Sequence, residues 1–249
     1  MIQETIQKKK RKALEYFIAR LLASAVGRYV AKIILFGSVA EDDADEGSDV
    51  DVLVFSTDRI EEVRDACGEA EFETTLASGE SVESLIYSIG EYVVPWSVFV
   101  RNAIQHGEVV FSMEEDQVQY ELARNYRDLA EEYLEIAEDV LAGARHRGVV
   151  DMAYNAAELC MKGLLILKME AIPKRHGGVA QKFGEFYVRT GVFPPEIGRN
   201  ARRFLSLRNS ARYDFQAEIT REHAEKIIAF SRTLLEGLDE ALQQGIAHG

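Results

Sequence analysis

The first half of the chain alternates between helical and strand-like patterns of apolar residues. Apolar side chains recur every three or four positions over residues 3–26, which predicts an amphipathic helix. Two short runs rich in β-branched residues follow, Tyr29–Phe36 and Val50–Phe55, with a very polar loop between them. We predict two strands joined by this loop.

A second set of elements completes the predicted sheet. Residues 59–76 have a helical pattern, and Ser81–Ser88 alternates between apolar and polar positions as a third strand does. Val98–Gln105 predicts a short helix and Glu108–Phe111 a closing strand. Residues 1–113 therefore predict an α+β domain, a small mixed sheet with flanking helices.

The second half of the chain has only helical periodicity. Ser112 and Glu115 have the spacing of a capping box, which predicts that a long helix opens there and runs to Gly143. Four further helices are predicted, one from about Asp151 to Glu170, one ending at Gly191, one after Pro194-Pro195 and one capped by Thr220. Residues 114–249 therefore predict an all-α up-and-down bundle.

Composition and charge argue against several classes of protein. The net charge is −13, and residues 1–115 carry 11 basic against 22 acidic side chains, so this half lacks the cationic surface that binds polyanions. No uninterrupted apolar run reaches the length of a membrane span, and the N-terminus lacks the apolar core of a signal peptide. Cys67 and Cys160 lie far apart on helical segments and favour a reducing compartment. We expect a cytoplasmic protein without a membrane partner.

Candidate chemistry is concentrated between the first two strands. Asp49 and Asp51 are two residues apart on a predicted strand, so both carboxylates leave the same face and repel unless a cation lies between them. Gly37 ends the preceding strand, where a residue without Cβ lets a ligand approach, and Ser38 adds a hydroxyl and an amide for phosphate oxygens. Each feature alone is typical of an ordinary turn or a solvated strand; their combination predicts a phosphate and Mg²⁺ site.

These residues resemble the minimal form of the polymerase-beta-like nucleotidyltransferases. Phe36-Gly37-Ser38 and Ser48-Asp49-Val50-Asp51 match the family pattern in order and spacing. The resemblance implies transfer of a nucleoside monophosphate from ATP or another nucleoside triphosphate to a hydroxyl acceptor, with release of pyrophosphate. It also implies that Asp49 and Asp51 hold two Mg²⁺ (or Mn²⁺) ions, while Gly37, Ser38 and Ser48 bind the nucleotide.

The family usually has a third carboxylate, on a later strand, that activates the acceptor and completes the metal site. Glu83 on the third predicted strand is the candidate, and a solvent-facing structural role is an equal alternative. Glu71 and Glu73 are weaker candidates because they fall on a helical pattern.

The chain departs from the family where Arg-Gly commonly follows the Gly-Ser turn. Here Glu41 and Asp42 add two negative charges beside a site that is expected to bind the anionic triphosphate. Either these side chains point to solvent, with Arg101 as one possible source of positive charge, or the site is weakened. The alternative function is therefore a catalytically degenerate, nucleotide-binding, antitoxin-like interaction module.

The second half is similar to HEPN domains over roughly residues 117–243. Matching stretches include His176-Gly-Gly and Leu207 to Phe215. Ribonuclease members carry Arg, a polar residue, about three other residues and then His; Arg208-Asn209 match, but Tyr213 stands in place of the His, which argues against RNA cleavage. The possible acceptor or partner site comprises Arg208, Asn209, Tyr213 and His176.

The same residues also have structural interpretations. Arg208 lies on the inward side of its helix, so we predict an ion pair with Asp214 or Glu158. Tyr213 is predicted to pack as an aromatic with a hydrogen bond, and His176 to fix a loop. The acceptor (protein, RNA or small molecule) stays open, although nine basic residues between Ile172 and Arg212 favour an anionic one. Bundles of this kind also suggest a homodimer through the helical domain.

Overall fold

A computed structural model describes residues 2–169 and 172–246. The chain divides into two compact units, Met1–Val118 and Gln119–Gly249, which we describe separately. Within the described residues, every helix is too short or too polar to traverse a lipid bilayer.

The N-terminal unit is built on a mixed sheet. Within residues 2–118, the strands β1 (Val30–Phe36), β2 (Val50–Ser56), β3 (Val82–Ser88) and β4 (Glu108–Ser112) lie in the order β3-β2-β1-β4. β1 pairs antiparallel with β2 and with β4, whereas β2 and β3 run parallel. β2 is therefore an inner strand, which agrees with its almost continuous apolar sequence.

Each face of this sheet is covered by a different pair of helices. α1 (Ile2–Ala23) and α2 (Ile60–Ser78) pack on the face formed by Val50, Val52 and Val54, where the main hydrophobic core lies. On the other face, the Phe55 ring contacts Tyr92 of α3 (Ile89–Val93) at a centroid distance of 5.4 Å. Phe36 makes an edge-to-face contact, also at 5.4 Å, with Phe99 of α4 (Val98–His106). α3 is a turn of helix that the sequence pattern did not predict.

The C-terminal unit is helical. Its elements are α5 (Glu115–Ala142), α6 (His146–Ile166), α7 (His176–Phe183), a π-helical turn (Gly184–Val188), α8 (Pro195–Tyr213) and α9 (Arg221–Ile246). Pro195 occupies the first turn of α8, and the Thr220 hydroxyl accepts a hydrogen bond from the His223 N–H at 3.3 Å, which confirms the predicted cap of α9. α6 is buried on most sides and packs closely on α9, where a Cβ at Gly163 would lie 2.8 Å from the Leu238 side chain.

The predicted fold class, an α+β domain followed by a helical domain, is confirmed, and the corrections concern helix ends. Ser112 is not an N-cap, because it belongs to β4 and its hydroxyl donates to the Met113 carbonyl; α5 begins at Glu115. α6 begins at His146, five residues before the predicted Asp151, and ends at Ile166. The predicted end at Glu170 lies outside the described residues. The predicted third helix divides into α7 and the π-helical turn, which ends at Val188 rather than Gly191.

Candidate active site

Gly37 and Asp51 face each other where β1 ends and β2 begins. The two strands pair Phe36 with Asp51, so the residue after β1 lies directly against the first carboxylate of β2. Gly37 has a φ of 72°, and a Cβ built on it would lie 2.6 Å from Asp51 Oδ2. Only glycine fits this turn without displacing the carboxylate, and the absent side chain leaves the Asp51 oxygen accessible from the turn.

Glu83 is brought to the same edge of the sheet by the parallel pairing of β2 and β3. The register places Glu83 beside Asp51, and paired residues of neighbouring strands share a face of the sheet. The contact between the Phe55 and Tyr87 rings, 6.1 Å apart on the same two strands, identifies that face as the one covered by α3. Glu83 itself is exposed, whereas Asp49 and Asp51 are half-buried.

The alternative carboxylates are engaged elsewhere. Glu71 accepts hydrogen bonds from the Ser84 N–H at 2.9 Å and from the Ser84 hydroxyl at 2.5 Å. Glu73 forms an ion pair with Arg20 of α1. Both lie on α2 and hold it to its neighbours, so Glu83 is the better candidate for the third carboxylate.

The electrostatics of this edge favour a cation. Burial, followed by the charges of Glu83 and Asp49, raises the pKa of Asp51 above its ordinary value. Within residues 2–169 and 172–246, no three His, Cys, Asp or Glu side chains are grouped closely enough to hold a metal ion by themselves. Two half-buried carboxylates nevertheless fit Mg²⁺, because this ion takes one or two carboxylates and completes its shell with substrate phosphate and water.

The turn after β1 is fixed by its backbone. The carbonyls of Gly37 and Ser38 accept hydrogen bonds from the N–H groups of Glu41 (3.1 Å) and Asp43 (2.9 Å). Asp42 adopts a φ of 58°, a left-handed conformation suited to the glycine that the family pattern commonly has at this position. Its exposed carboxylate lies 4.0 Å from the Arg11 guanidinium, so α1 supplies some of the positive charge that the turn lacks.

A buried lysine, which the sequence reasoning missed, holds the start of β2. The Lys10 ammonium is 3% exposed and contacts both the Ser48 carbonyl and the Glu80 carboxylate. Burial disfavours the ionised form of Glu80, but hydrogen bonds from Lys10 and Lys9 outweigh it and lower its pKa. Lys10 is in helical phase with the buried Leu14 and Phe17, and that phase is the signal in the sequence that it lies on the packed face of α1.

Ser48 has a role within the loop. Its hydroxyl donates to Asp45 Oδ1 at 3.0 Å and accepts from the Asp45 N–H at 2.9 Å. Both bonds close the turn that leads into Asp49. Direct contact of Ser48 with a nucleotide stays a prediction.

In the helical unit the predicted ion pair of Arg208 exists, but with another partner. Arg208 is 6% exposed, and its Nε donates to Asp151 Oδ1 at 3.2 Å rather than to Asp214 or Glu158. Arg212 donates to the same oxygen at 2.8 Å. Asp151 lies on α6, five residues after the observed start of that helix at His146. The sequence pattern predicted that the helix begins at Asp151 itself.

The other helical candidates have separate environments. Tyr213 is 75% exposed, so the prediction that it packs as an aromatic is wrong. Asn209 is exposed and accepts a weak hydrogen bond of 3.4 Å from Arg208. His176 contacts the buried Glu158 through Nδ1 and so holds the start of α7 against α6, as its predicted loop-fixing role requires.

Comparison with known families follows the division of the chain. The pattern of the family described as "Nucleotidyltransferase domain" matches residues 11–119, and the pattern described as "HEPN domain" matches residues 123–241. The matched ranges fall almost entirely into the two compact units.

Parts of this chain align with nearly the whole length of two proteins from Methanocaldococcus jannaschii. The protein named "Putative protein adenylyltransferase MJ0604" is 32% identical over 102 residues, which are 41% of this chain and 98% of that protein. The protein named "Putative toxin MJ0605" is 31% identical over 130 residues, 49% of this chain and 96% of that protein.

A solved structure of spectinomycin adenyltransferase AAD(9) from Enterococcus faecialis, with ATP and spectinomycin, aligns over 91% of this chain and 99% of its own. The sequence identity is 14% and the TM-score 0.30, so we base no conclusion on this similarity.

Proposed function

Because the chain belongs to the nucleotidyltransferase family over residues 11–119 and to the HEPN family over residues 123–241, we propose that it transfers a nucleoside monophosphate from a nucleoside triphosphate to a hydroxyl group. The observation that carries this proposal is the position of Asp51. Its half-buried carboxylate lies against a glycine turn that keeps the approach open, with two further acids beside it.

In this proposal each residue of the site has one role. Asp49 and Asp51 would hold Mg²⁺, which when bound neutralises charge that develops on the phosphate. The turn at Gly37 and Ser38 positions the triphosphate. The acceptor oxygen attacks the α-phosphorus; a new P–O bond forms, and the bond to the β-phosphate oxygen breaks, with its electron pair leaving on pyrophosphate. Glu83, exposed beside Asp51, takes the hydroxyl proton.

We propose ATP as the donor and a protein hydroxyl as the first acceptor to test. Both follow from the name of the 32% identical relative, a protein adenylyltransferase, and RNA and small molecules are the other acceptor classes. The helical domain would bind the acceptor or a partner, and a homodimer through that domain is part of the same proposal.

The test uses ATP labelled at the α-phosphate, Mg²⁺ or Mn²⁺, and the full chain with candidate acceptors. We expect the wild-type protein to form labelled product and pyrophosphate. Asp51→Asn should lower the rate about a thousandfold, because it removes a metal ligand, and Glu83→Gln about a hundredfold, because it removes the proton acceptor. Glu46→Gln, an exposed carboxylate of the same loop, should leave the rate unchanged.

Equal labelling by the wild type and Asp51→Asn would contradict the proposal.

A specific observation supports a second candidate function, a nucleotide-binding antitoxin-like module without turnover. Glu83 is exposed, and Glu41-Asp42 stand where the family commonly has Arg-Gly. Mg²⁺-dependent ATP binding without labelled product or pyrophosphate, with every acceptor class tested, would favour this module over the enzyme.

A further inference from the structure

A pocket of about 300 Å³ lies beside Gly37, between the turn after β1 and α4. Phe36 and Phe99 contribute apolar walls, and Glu41, Asn102 and His106 contribute polar groups. The pocket therefore begins at the residue where the proposed function places the triphosphate. Its size is at the lower end of small-molecule sites, about 300–1,000 Å³.

The pocket has a well-defined floor because α4 is packed tightly against the end of β1. The Phe99 ring meets Phe36 edge to face at 5.4 Å. At the far end of α4, a Cβ on Gly107 would lie 2.5 Å from the Ala103 carbonyl oxygen and 2.7 Å from the Leu35 carbonyl oxygen. Only glycine allows this approach, so the C-terminal turn of α4 is held directly on the strand that leads to Gly37.

The polar side chains of the pocket are exposed to solvent and therefore accessible to a ligand. Within the part of the chain that the structure describes, the side chains of Glu41 and Asn102 make no hydrogen bond or ion pair with other side chains or backbone groups. His106 Nδ1 lies 3.1 Å from the Asn102 carbonyl oxygen and must donate to it, since a carbonyl only accepts. In the neutral imidazole, Nε2 is then an acceptor. The pocket thus offers a carboxylate, an amide and an imidazole around an exposed aromatic ring.

We infer that this pocket holds the base of the nucleotide donor and that Glu41 selects an amino-bearing purine by accepting a hydrogen bond from its exocyclic amino group. The inference rests on the proposed function, because it assumes that a triphosphate lies at Gly37. Phe99 provides a ring on which the base stacks, a contact that tolerates any base and so contributes affinity without selectivity. Asn102 can donate its amide N–H to a ring nitrogen of the purine, a bond that does not depend on the amino group.

This assignment also accounts for the acid at position 41. A carboxylate beside the phosphates would repel them, whereas the same carboxylate at the edge of a neutral base meets N–H donors. Glu41 lines the pocket together with Phe99 and His106, and its backbone N–H is tied to the Gly37 carbonyl at 3.1 Å. Glu41 in place of the usual Arg then serves to recognise the base and does not impair the phosphate site.

The test compares two triphosphates that differ in one group. ATP and purine riboside 5′-triphosphate are identical except that the second lacks the 6-amino group. Their dissociation constants would be measured calorimetrically with Mg²⁺ for the full-length wild type and for Glu41→Ala. We expect the wild type to bind ATP about tenfold more tightly than the analogue, as for one hydrogen bond to a charged group, and Glu41→Ala to bind both equally.

Two matched controls separate the pocket from general effects. Glu46→Ala removes an exposed acid of the same loop and should retain the tenfold preference. Phe99→Ala should weaken binding of both triphosphates about tenfold through lost stacking, whereas Val98→Ala, which removes an exposed apolar neighbour on α4, should weaken neither.

Equal binding of ATP and the analogue by the wild type would overturn the inference and leave the proposed function standing. If Glu41→Ala kept the preference but raised the KM of an acceptor, the pocket would belong to the acceptor and the inference would be wrong. Absence of binding of both triphosphates would overturn the proposed function together with the inference.

Discussion

Charged groups in the core of the helical unit and at the candidate active site have opposite kinds of neighbours. In the helical unit, Asp151 is met by the guanidinium groups of Arg208 and Arg212, and the buried Glu158 by Lys162 and His176. In the N-terminal unit, the charges that act on the half-buried Asp51 are both negative. Ion pairs within the protein stabilise the folded helical unit. Neighbouring carboxylates of like charge repel each other and are stabilised when a bound cation lies between them.

This contrast also helps to decide whether the residues around Arg208 in the helical unit could cleave RNA. Arg208 is engaged with Asp151, and Tyr213 points to solvent where ribonuclease relatives of the HEPN family have His. The cluster around Arg208 is therefore better explained as a structural ion pair than as a centre for RNA cleavage.

The largest effect on stability is expected where pairing is broken. Asp151→Ala removes the ion pair of the buried Arg208 guanidinium and leaves it, among the residues that the structure describes, with the weak Asn209 contact, so we expect the unfolding free energy of the helical unit to fall by about 3 kcal/mol. Hydrogen exchange of the α6 and α8 amides would report this loss separately for the helical unit.

Asp139→Ala removes an exposed aspartate of α5 and is the matched control, with an expected change within about 0.5 kcal/mol. If the two variants exchanged at the same rates, Asp151 would not hold the charges of the helical unit in the way described.

A smaller effect is expected from closing the approach to Asp51. Gly37→Ala adds a Cβ 2.6 Å from Asp51 Oδ2, and Gly79→Ala adds one at nearly the same positive φ with no atom within 4 Å. Both should lose about 1–2 kcal/mol of stability from backbone strain. We expect only Gly37→Ala to lose Mg²⁺-dependent nucleotide binding, measured calorimetrically.

The comparison of the two glycines isolates the carboxylate contact from the strain. Equal nucleotide affinities for the two alanine variants would mean that the space at Gly37 is not needed for the ligand.

The smallest effect tests the electrostatics of Asp51 directly. Because the folded-state pKa of Asp51 is raised, its favourable contribution to stability is complete below the ordinary pKa near 3.9 and is lost as pH rises through the folded value. At pH 7 without divalent cations, Asp51→Asn should therefore be more stable than the wild type, by less than about 1 kcal/mol because solvent screens a half-buried group. Thermal melts between pH 4 and 7 would show this advantage shrinking towards pH 4.

Addition of Mg²⁺ and nucleotide should reverse the order by stabilising the wild type more than Asp51→Asn. A wild type that is the more stable of the two at pH 7 without cations would argue against mutual repulsion of the acids.

Much of the N-terminal fold follows from local sequence. The strand limits of β1 and β2 were predicted to within about a residue, because apolar β-branched runs ended by Gly37 and preceded by a polar loop leave few other conformations. That Asp49 and Asp51 share a face stays a prediction from the two-residue period of a strand, because Asp49 lies just before the observed start of β2.

Other features depend on contacts that local patterns do not encode. That Glu83 lies beside Asp51 is a matter of register between two strands, and the choice of Asp151 as the partner of Arg208 joins residues 57 positions apart. The capping-box prediction at Ser112 failed for the same reason, since the pairing of Ser112 with Lys32 draws that residue into β4. Local hydrogen-bonding preferences were outweighed there by the sheet.

The buried Lys10 has a consequence for how the domain is delimited. The nucleotidyltransferase family pattern begins at residue 11, yet the ammonium that secures the loop entering β2 belongs to the residue just before it. A fragment trimmed to the family match would keep both aspartates and lose the lysine that contacts the Ser48 carbonyl, one residue before Asp49. In this chain the structural border of the nucleotidyltransferase domain therefore lies upstream of the residues that match the family.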